Sequence, residues 1–141
     1  MNVPVNYVAV LVAAIVSMVV GFVWYGPMLF AKPWMKAMGL TQEKMKQDQS
    51  RLGKIYTISF ILSLLTAYIM THVMVFSENF FHYPPVTTGV TTAIWMWLGF
   101  VMPVQATDWL FGGKSFNLFS INTGYQLASL LGMGITLGLF S

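Results

Sequence analysis

No cysteine occurs among the 141 residues. That absence excludes a disulfide scaffold, a thiolate nucleophile, an iron–sulfur cluster and a cysteine-ligated zinc site, each of which needs a sulfur. Charge is scarce as well: 8% of the residues are Asp, Glu, Lys or Arg, against about a quarter in an ordinary soluble domain. A disordered chain would be rich in charge and poor in apolar residues, so that class is excluded too. The chain has no Ser–His–Asp order, no phosphate loop and no glycine-rich dinucleotide fingerprint, so the sequence supports neither an enzyme nor a bound cofactor. What is present is 57% hydrophobic and 16% aromatic, with a mean hydropathy of +0.70. Such a composition points to a chain solvated by lipid.

A helix crossing a hydrocarbon core of about 30 Å needs roughly 20 mostly apolar residues, because in lipid every backbone amide must be satisfied within the segment. Four stretches have that length: residues 5–30, 54–76, 86–111 and 117–140. None alternates with period two, which argues against a β-barrel. The expected fold is an all-α membrane protein with four transmembrane helices, forming a single domain over residues 1–141. Its connections are expected at about 31–53, 77–85 and 112–116. The first stretch has no Lys or Arg ahead of it and is too long for a secretory signal, so it reads as an uncleaved span.

Orientation follows from the cations. Lys32, Lys36, Lys44, Lys46, Arg51 and Lys54 fall between the first two spans, and Lys114 falls between the last two. Positive charge stays on the cytoplasmic side, which places both of these loops inside and both termini outside. The net charge of +3 therefore reflects one juxtamembrane loop rather than a nucleic-acid surface. Within that loop, Pro33 fits a helix start, while Gly39 followed by Thr41 reads as a stop and a new N-cap. The polar stretch from Thr41 to Leu52 reads as a solvated extension into the second span.

Two stretches echo one another. Gly21-Phe22-Val23-Trp24-Tyr25-Gly26-Pro27 resembles Gly99-Phe100-Val101-Met102-Pro103, either as the trace of two parallel copies of a helical hairpin or by chance among common membrane residues. A true repeat would put the corners at Trp24–Lys32 and Asp108–Lys114 at one depth.

Ionisable groups inside a span are costly and are functional candidates by default; His72 and Asp108 are the two here. Gln105 and Asp108 stand three residues apart on the third span, and Asn122 and Gln126 stand four apart on the fourth. With Trp24 and Tyr25 they form a candidate ligand or ion pocket near the inner interface. In it Asp108 would bind a cation or pass a proton, and the amide and hydroxyl oxygens would supply further ligands. The competing reading is structural: Asp108 pairs with Lys114 or Lys32, and the amides join neighbouring helices. His72, Glu78 and His82 match no metal-binding spacing, and no metal site is expected. Trp24, Trp34 and Trp109 suit an interfacial belt, whereas Trp95 and Trp97 point in different directions, so at least one faces another helix.

The fourth span carries two ridges of small residues, Gly124-Ala128-Gly132 and Gly134-Gly138. Such ridges let helix backbones approach closely. One suits packing within the chain, and the other is expected to be free for a second copy or a larger membrane complex.

GFVWYGPMLFAKPWMKAMG (residues 21–39) and TDWLFGGKSFNLFSINTGYQ (residues 107–126) resemble the signature of a family of small bacterial membrane proteins, domain of unknown function 1761. The resemblance covers nearly the whole chain, and the block from Trp24-Tyr25-Gly26-Pro27 to Trp34 is its most specific part. It implies a four-span architecture in a bacterial inner (plasma) membrane. It also implies recurrence of Trp24, Tyr25, Gly26, Trp34, Asp108, Asn122 and Tyr125, but no activity. Three functions stay open: an oligomeric transporter or channel-like protein with a cytoplasmic-side polar pocket, a non-catalytic accessory subunit, or a lipid- or small-molecule-binding protein.

Overall fold

A computed structural model describes residues 2–141. Helix α1 (Tyr7–Trp24) starts where the Asn6 side chain accepts a hydrogen bond from the Ala9 amide at 3.2 Å, satisfying one of the free amides of the first turn. It ends at Tyr25-Gly26-Pro27. A Cβ on Gly26 would lie 2.7 Å from the Phe22 carbonyl oxygen, so only glycine lets the chain fold back over the helix end. The Phe30 amide then donates to the Trp24 carbonyl, and the chain reverses into α2 (Ala31–Met38). Gly39 stops α2 in the left-handed conformation at φ 67°, and Thr41 caps α3 (Gln42–Gln47) by accepting from the Lys44 amide. The stop and the fresh cap agree with the sequence signals.

Helix α4 (Gln49–Phe81) has 33 residues and is about 50 Å long, against about 30 Å of hydrocarbon. Its apolar run gives way to Ser77-Glu78-Asn79, but the backbone stays helical to Phe81, with His82 as its left-handed cap. The connection expected over 77–85 is consequently reduced to residues 82–84. Most of the long connection at 31–53 is helical for the same reason: a polar residue ends burial, not backbone hydrogen bonding.

Pro85 opens α5 (Pro85–Met96) at its first position, where a missing amide costs nothing. The helix continues through a π-helical turn (Trp97–Val101) into α6 (Met102–Gly112). Pro103 has no amide to offer the Gly99 carbonyl, and the ladder widens there, with the Met102 amide reaching back to the Trp97 carbonyl. Gly113, at φ 65°, ends α6. Ser115 caps α7 (Phe116–Leu139) through the Leu118 amide. The two echoing stretches thus adopt different backbones, a broken helix end at 24–27 and a π-turn inside a continuous helix at 97–103.

The long helices run up and down in a ring in which α1 packs between α4 and α7, and α5 packs on α7 and α4. The fold is all-helical, with no strand among the described residues. Three helices, α1, α4 and the continuous α5–α6, are long and apolar enough to cross a membrane. Helix α7 is long enough but too polar to meet that composition, and it carries more of the core than any other helix.

The interior combines a few large apolar side chains, Met70, Met74, Leu130, Met133 and Leu137, with many small or weakly polar ones: Ala9, Ala13, Ala14, Ser17, Ala67, Thr88, Thr92, Ala93 and Ser129 are buried too. Many other large apolar groups, among them Val19, Phe22, Ile61, Leu62, Trp95 and Phe100, face outward. Water would penalise an apolar exterior of this extent, whereas lipid matches it. Small interior residues then let the helices gain van der Waals contact by close approach.

Both glycine ridges of α7 are used inside the chain. A Cβ on Gly124 would meet the Trp24 ring at 2.9 Å and one on Gly132 would meet Val16 at 3.1 Å, so the first ridge lies against α1. On the second ridge, Cβ atoms at Gly134 and Gly138 would fall 2.3 Å and 2.7 Å from the carbonyl oxygens of Gly89 and Pro85. The expectation that one ridge stays free for a partner is corrected: α7 sits between two neighbours and spends one ridge on each.

Candidate functional site

The end of α1, the end of α6 and the start of α7 meet at one end of the bundle. Tyr25, just past the last residue of α1, donates its hydroxyl hydrogen to Asn122 Oδ1 on α7 at 2.6 Å. Its ring packs against Tyr125 at 5.2 Å between centroids and against Trp34 of α2 at 5.3 Å, edge-on. Tyr125 in turn lies over Gly21, where a Cβ would approach its hydroxyl to 3.3 Å. The α1–α2 turn therefore folds Trp34 back onto Tyr25, and the half-buried aromatic rings close over that side of Asn122.

Two indoles tie α7 from opposite sides. Trp24 Nε1 donates to the Ile121 carbonyl at 3.0 Å, and Trp97 Nε1 donates to the Thr123 carbonyl at 2.9 Å. Trp95, two residues from Trp97, points outward and is 71% exposed, so the pair divides between helix and exterior as their spacing requires. The Thr123 hydroxyl donates to Gln105 Oε1 at 2.6 Å, which joins α7 to α6.

Between α6 and α7 lies a cleft of about 90 Å³ lined by Gln105, Asp108, Trp109, Lys114, Phe119 and Asn122, with Leu118 at its base. Trp109 stacks on Phe119 at 5.2 Å and forms its apolar wall. Asp108 and Lys114 form an ion pair at the rim, each about half exposed. Of the six residues expected in the pocket, Gln105, Asp108 and Asn122 line this cleft. Trp24 and Tyr25 stand behind it and hold the Ile121–Asn122 backbone and side chain from the α1 side. Gln126, one turn further along α7, does not line it.

The Protein of unknown function (DUF1761) family model matches residues 8–138. The chain belongs to that family. No curated protein and no solved structure matches it. The match runs from the first turn of α1 to the last turn of α7, so all the long helices and the cleft fall within the family's domain.

His72 lies away from this end, with Nδ1 2.9 Å from the Tyr68 carbonyl one turn earlier in α4. It forms no metal-binding group with Glu78 and His82 among the described residues. Thr123 escaped the sequence reading, which expected at least one of Trp95 and Trp97 to face another helix without naming this partner. The signal available was the polar run Asn122-Thr123 directly before Gly124, at the start of a small-residue ridge.

Proposed function

We propose that the chain is a four-span integral membrane protein with both termini outside and the lysine-rich segment in the cytoplasm. In this reading the α6–α7 cleft is a cation site at the cytoplasmic headgroup level. Helix α7, about 36 Å long, serves as the fourth span; enclosed by neighbours, it tolerates Asn122, Thr123 and Gln126, which lipid would not. The orientation rests on the placement of the seven Lys and Arg residues: Lys32, Lys36, Lys44 and Lys46 between α1 and α4, Arg51 and Lys54 in the first turns of α4, and Lys114 between α6 and α7.

The observation that carries the site is its oxygen chemistry. Gln105, Asp108 and Asn122 line a space with room for an ion and a few waters; the carboxylate of Asp108 and the second lone pair of each amide oxygen, whose first accepts from Thr123 or Tyr25, make a donor set suited to hard cations. The ammonium of Lys114 already occupies the position on Asp108 that an incoming cation would take, so binding exchanges one cation for another and Lys114 acts as a tethered competitor. The Tyr25 bond fixes Asn122 from behind.

Backbone contact at Gly89 and Gly134 leaves no water path between α5 and α7 at that point, and a ring of four helices is too thin to enclose a wide one. Movement of the ion across the membrane therefore calls for more than one copy, arranged on faces other than the α7 ridges. Reconstituted vesicles test the proposal. Asp108→Asn is expected to keep the fold and abolish cation flux, while Lys114→Gln is expected to keep flux and raise cation affinity. Equal flux in wild type and Asp108→Asn refutes the site. Labelling of a Lys44→Cys variant from the outer side alone refutes the orientation.

A further inference from the structure

The opposite end of the bundle, where both termini lie, holds a larger cleft of about 310 Å³ between α1, α4 and α7. Its volume reaches the lower range of small-molecule sites. We propose that it is a second binding site, selective for a compact organic cation of the alkylammonium class, with Glu78 as its counter-charge.

Three observations combine. The walls are apolar and closely built, from the buried Ala9, Met74 and Leu137 with Val75 and Phe140 at the mouth. The neighbouring polar side chains are already engaged: Asn6 Nδ2 donates to the Phe140 carbonyl and the Thr71 hydroxyl to the Ala67 carbonyl. That leaves the Glu78 carboxylate facing the space, in no ion pair among the described residues. All seven Lys and Arg residues belong to the other end of the bundle, so no lysine or arginine competes for it; His82 stands at the α4 cap four residues on. A carboxylate at the edge of an apolar cavity selects a ligand with a positive head and a hydrocarbon body, and the Phe140 ring adds attraction for the head.

A dissolved alkylamine and the ammonium headgroup of a phospholipid share this chemistry. The probe is radiolabelled tetraethylammonium, dialysed to equilibrium against the full chain in mild detergent. Saturable binding of one equivalent is expected, at least tenfold weaker in Glu78→Gln, restored in Glu78→Asp, and equally weakened in Val75→Trp, which fills the cleft without touching the charge. Asp108→Asn is expected to leave it unchanged, which separates this site from the α6–α7 cleft. Repetition in lipid discs identifies the source: displacement by phosphatidylethanolamine but not by phosphatidylglycerol assigns the site to lipid headgroups, and no displacement assigns it to a dissolved cation. Absence of saturable binding, or undiminished affinity in Val75→Trp or in folded Glu78→Gln, overturns the proposal.

Discussion

Gly89 and Gly134 mark the tightest point of the bundle, and replacing Gly89 by alanine tests the packing directly. A Cβ at Gly89 would lie 2.0 Å from the Gly134 carbonyl oxygen, whereas a carbon–oxygen contact of this kind ordinarily holds at about 3.3 Å. The obstacle is backbone on both sides and no rotamer relieves it, so α5 and α7 must part by about 1 Å. A gap of that size forfeits about a quarter to a half of the dispersion attraction across the seam, and a seam of on the order of forty atom pairs at about 0.15 kcal/mol each then loses about 2 kcal/mol. Alanine's higher helix propensity offsets about 1 kcal/mol. Gly99→Ala isolates that gain, since nothing lies within 4 Å of its Cβ. Unfolding with sodium dodecyl sulfate in mixed micelles, followed by tryptophan fluorescence, is expected to rank Gly89→Ala about 2 kcal/mol below Gly99→Ala. Equal stability of the two variants would refute the argument that α5 and α7 are held by backbone approach.

Other outcomes follow from the same geometry. Tyr25→Phe strands Asn122 Oδ1 and is expected to cost about 1–2 kcal/mol; the double change Tyr25→Phe with Asn122→Leu should cost less than the two single changes together, as read in the same micelle titration. Trp97→Phe removes the bond to the Thr123 carbonyl and is expected to lose about 1 kcal/mol, while Trp95→Phe, on the exposed face, should stay within about 0.5 kcal/mol of wild type. Ser17 shares a 2.6 Å hydrogen bond with Ser129 inside the bundle, yet Ser17→Ala should cost only about 0.6 kcal/mol, because an unfolded chain in lipid finds other partners.

The sequence displays the long helices because apolar run length is a direct consequence of the hydrocarbon thickness, and it displays the turn at Gly39-Thr41 because a left-handed stop and an oxygen cap each need particular residues. Helix α4 outruns its apolar segment because nothing in Ser77-Glu78-Asn79 obliges the backbone to stop. The π-turn was open to inference from Gly99 and Pro103, four residues apart, which leave one carbonyl without its usual donor. Small-residue spacing announces close approach without naming the partner helix, and here both ridges of α7 were claimed by α1 and α5. The site was half legible: Gln105, Asp108 and Asn122 share a depth that helix spacing reveals, but whether Trp24 and Tyr25 stand inside the cleft or behind it depends on the reversal at Gly26, which spacing along helices does not describe.

The polarity of α7 and its position explain each other. A helix able to face lipid around much of its circumference must be apolar there, and α1, α4 and α5–α6 meet that composition. Helix α7 instead meets α1 on one side and α5–α6 on the other, so its Asn122, Thr123 and Ser129 find Tyr25, Gln105 and Ser17 as partners. Its glycines become the surfaces on which those neighbours rest. Mean hydropathy treats each residue as though it faced the same solvent, and so it ranks the most enclosed helix as the least suited to a membrane. The chemistry collects on α7 for the same reason: among these helices it is the one where polar side chains find partners along much of its length, and the α6–α7 cleft opens near its start.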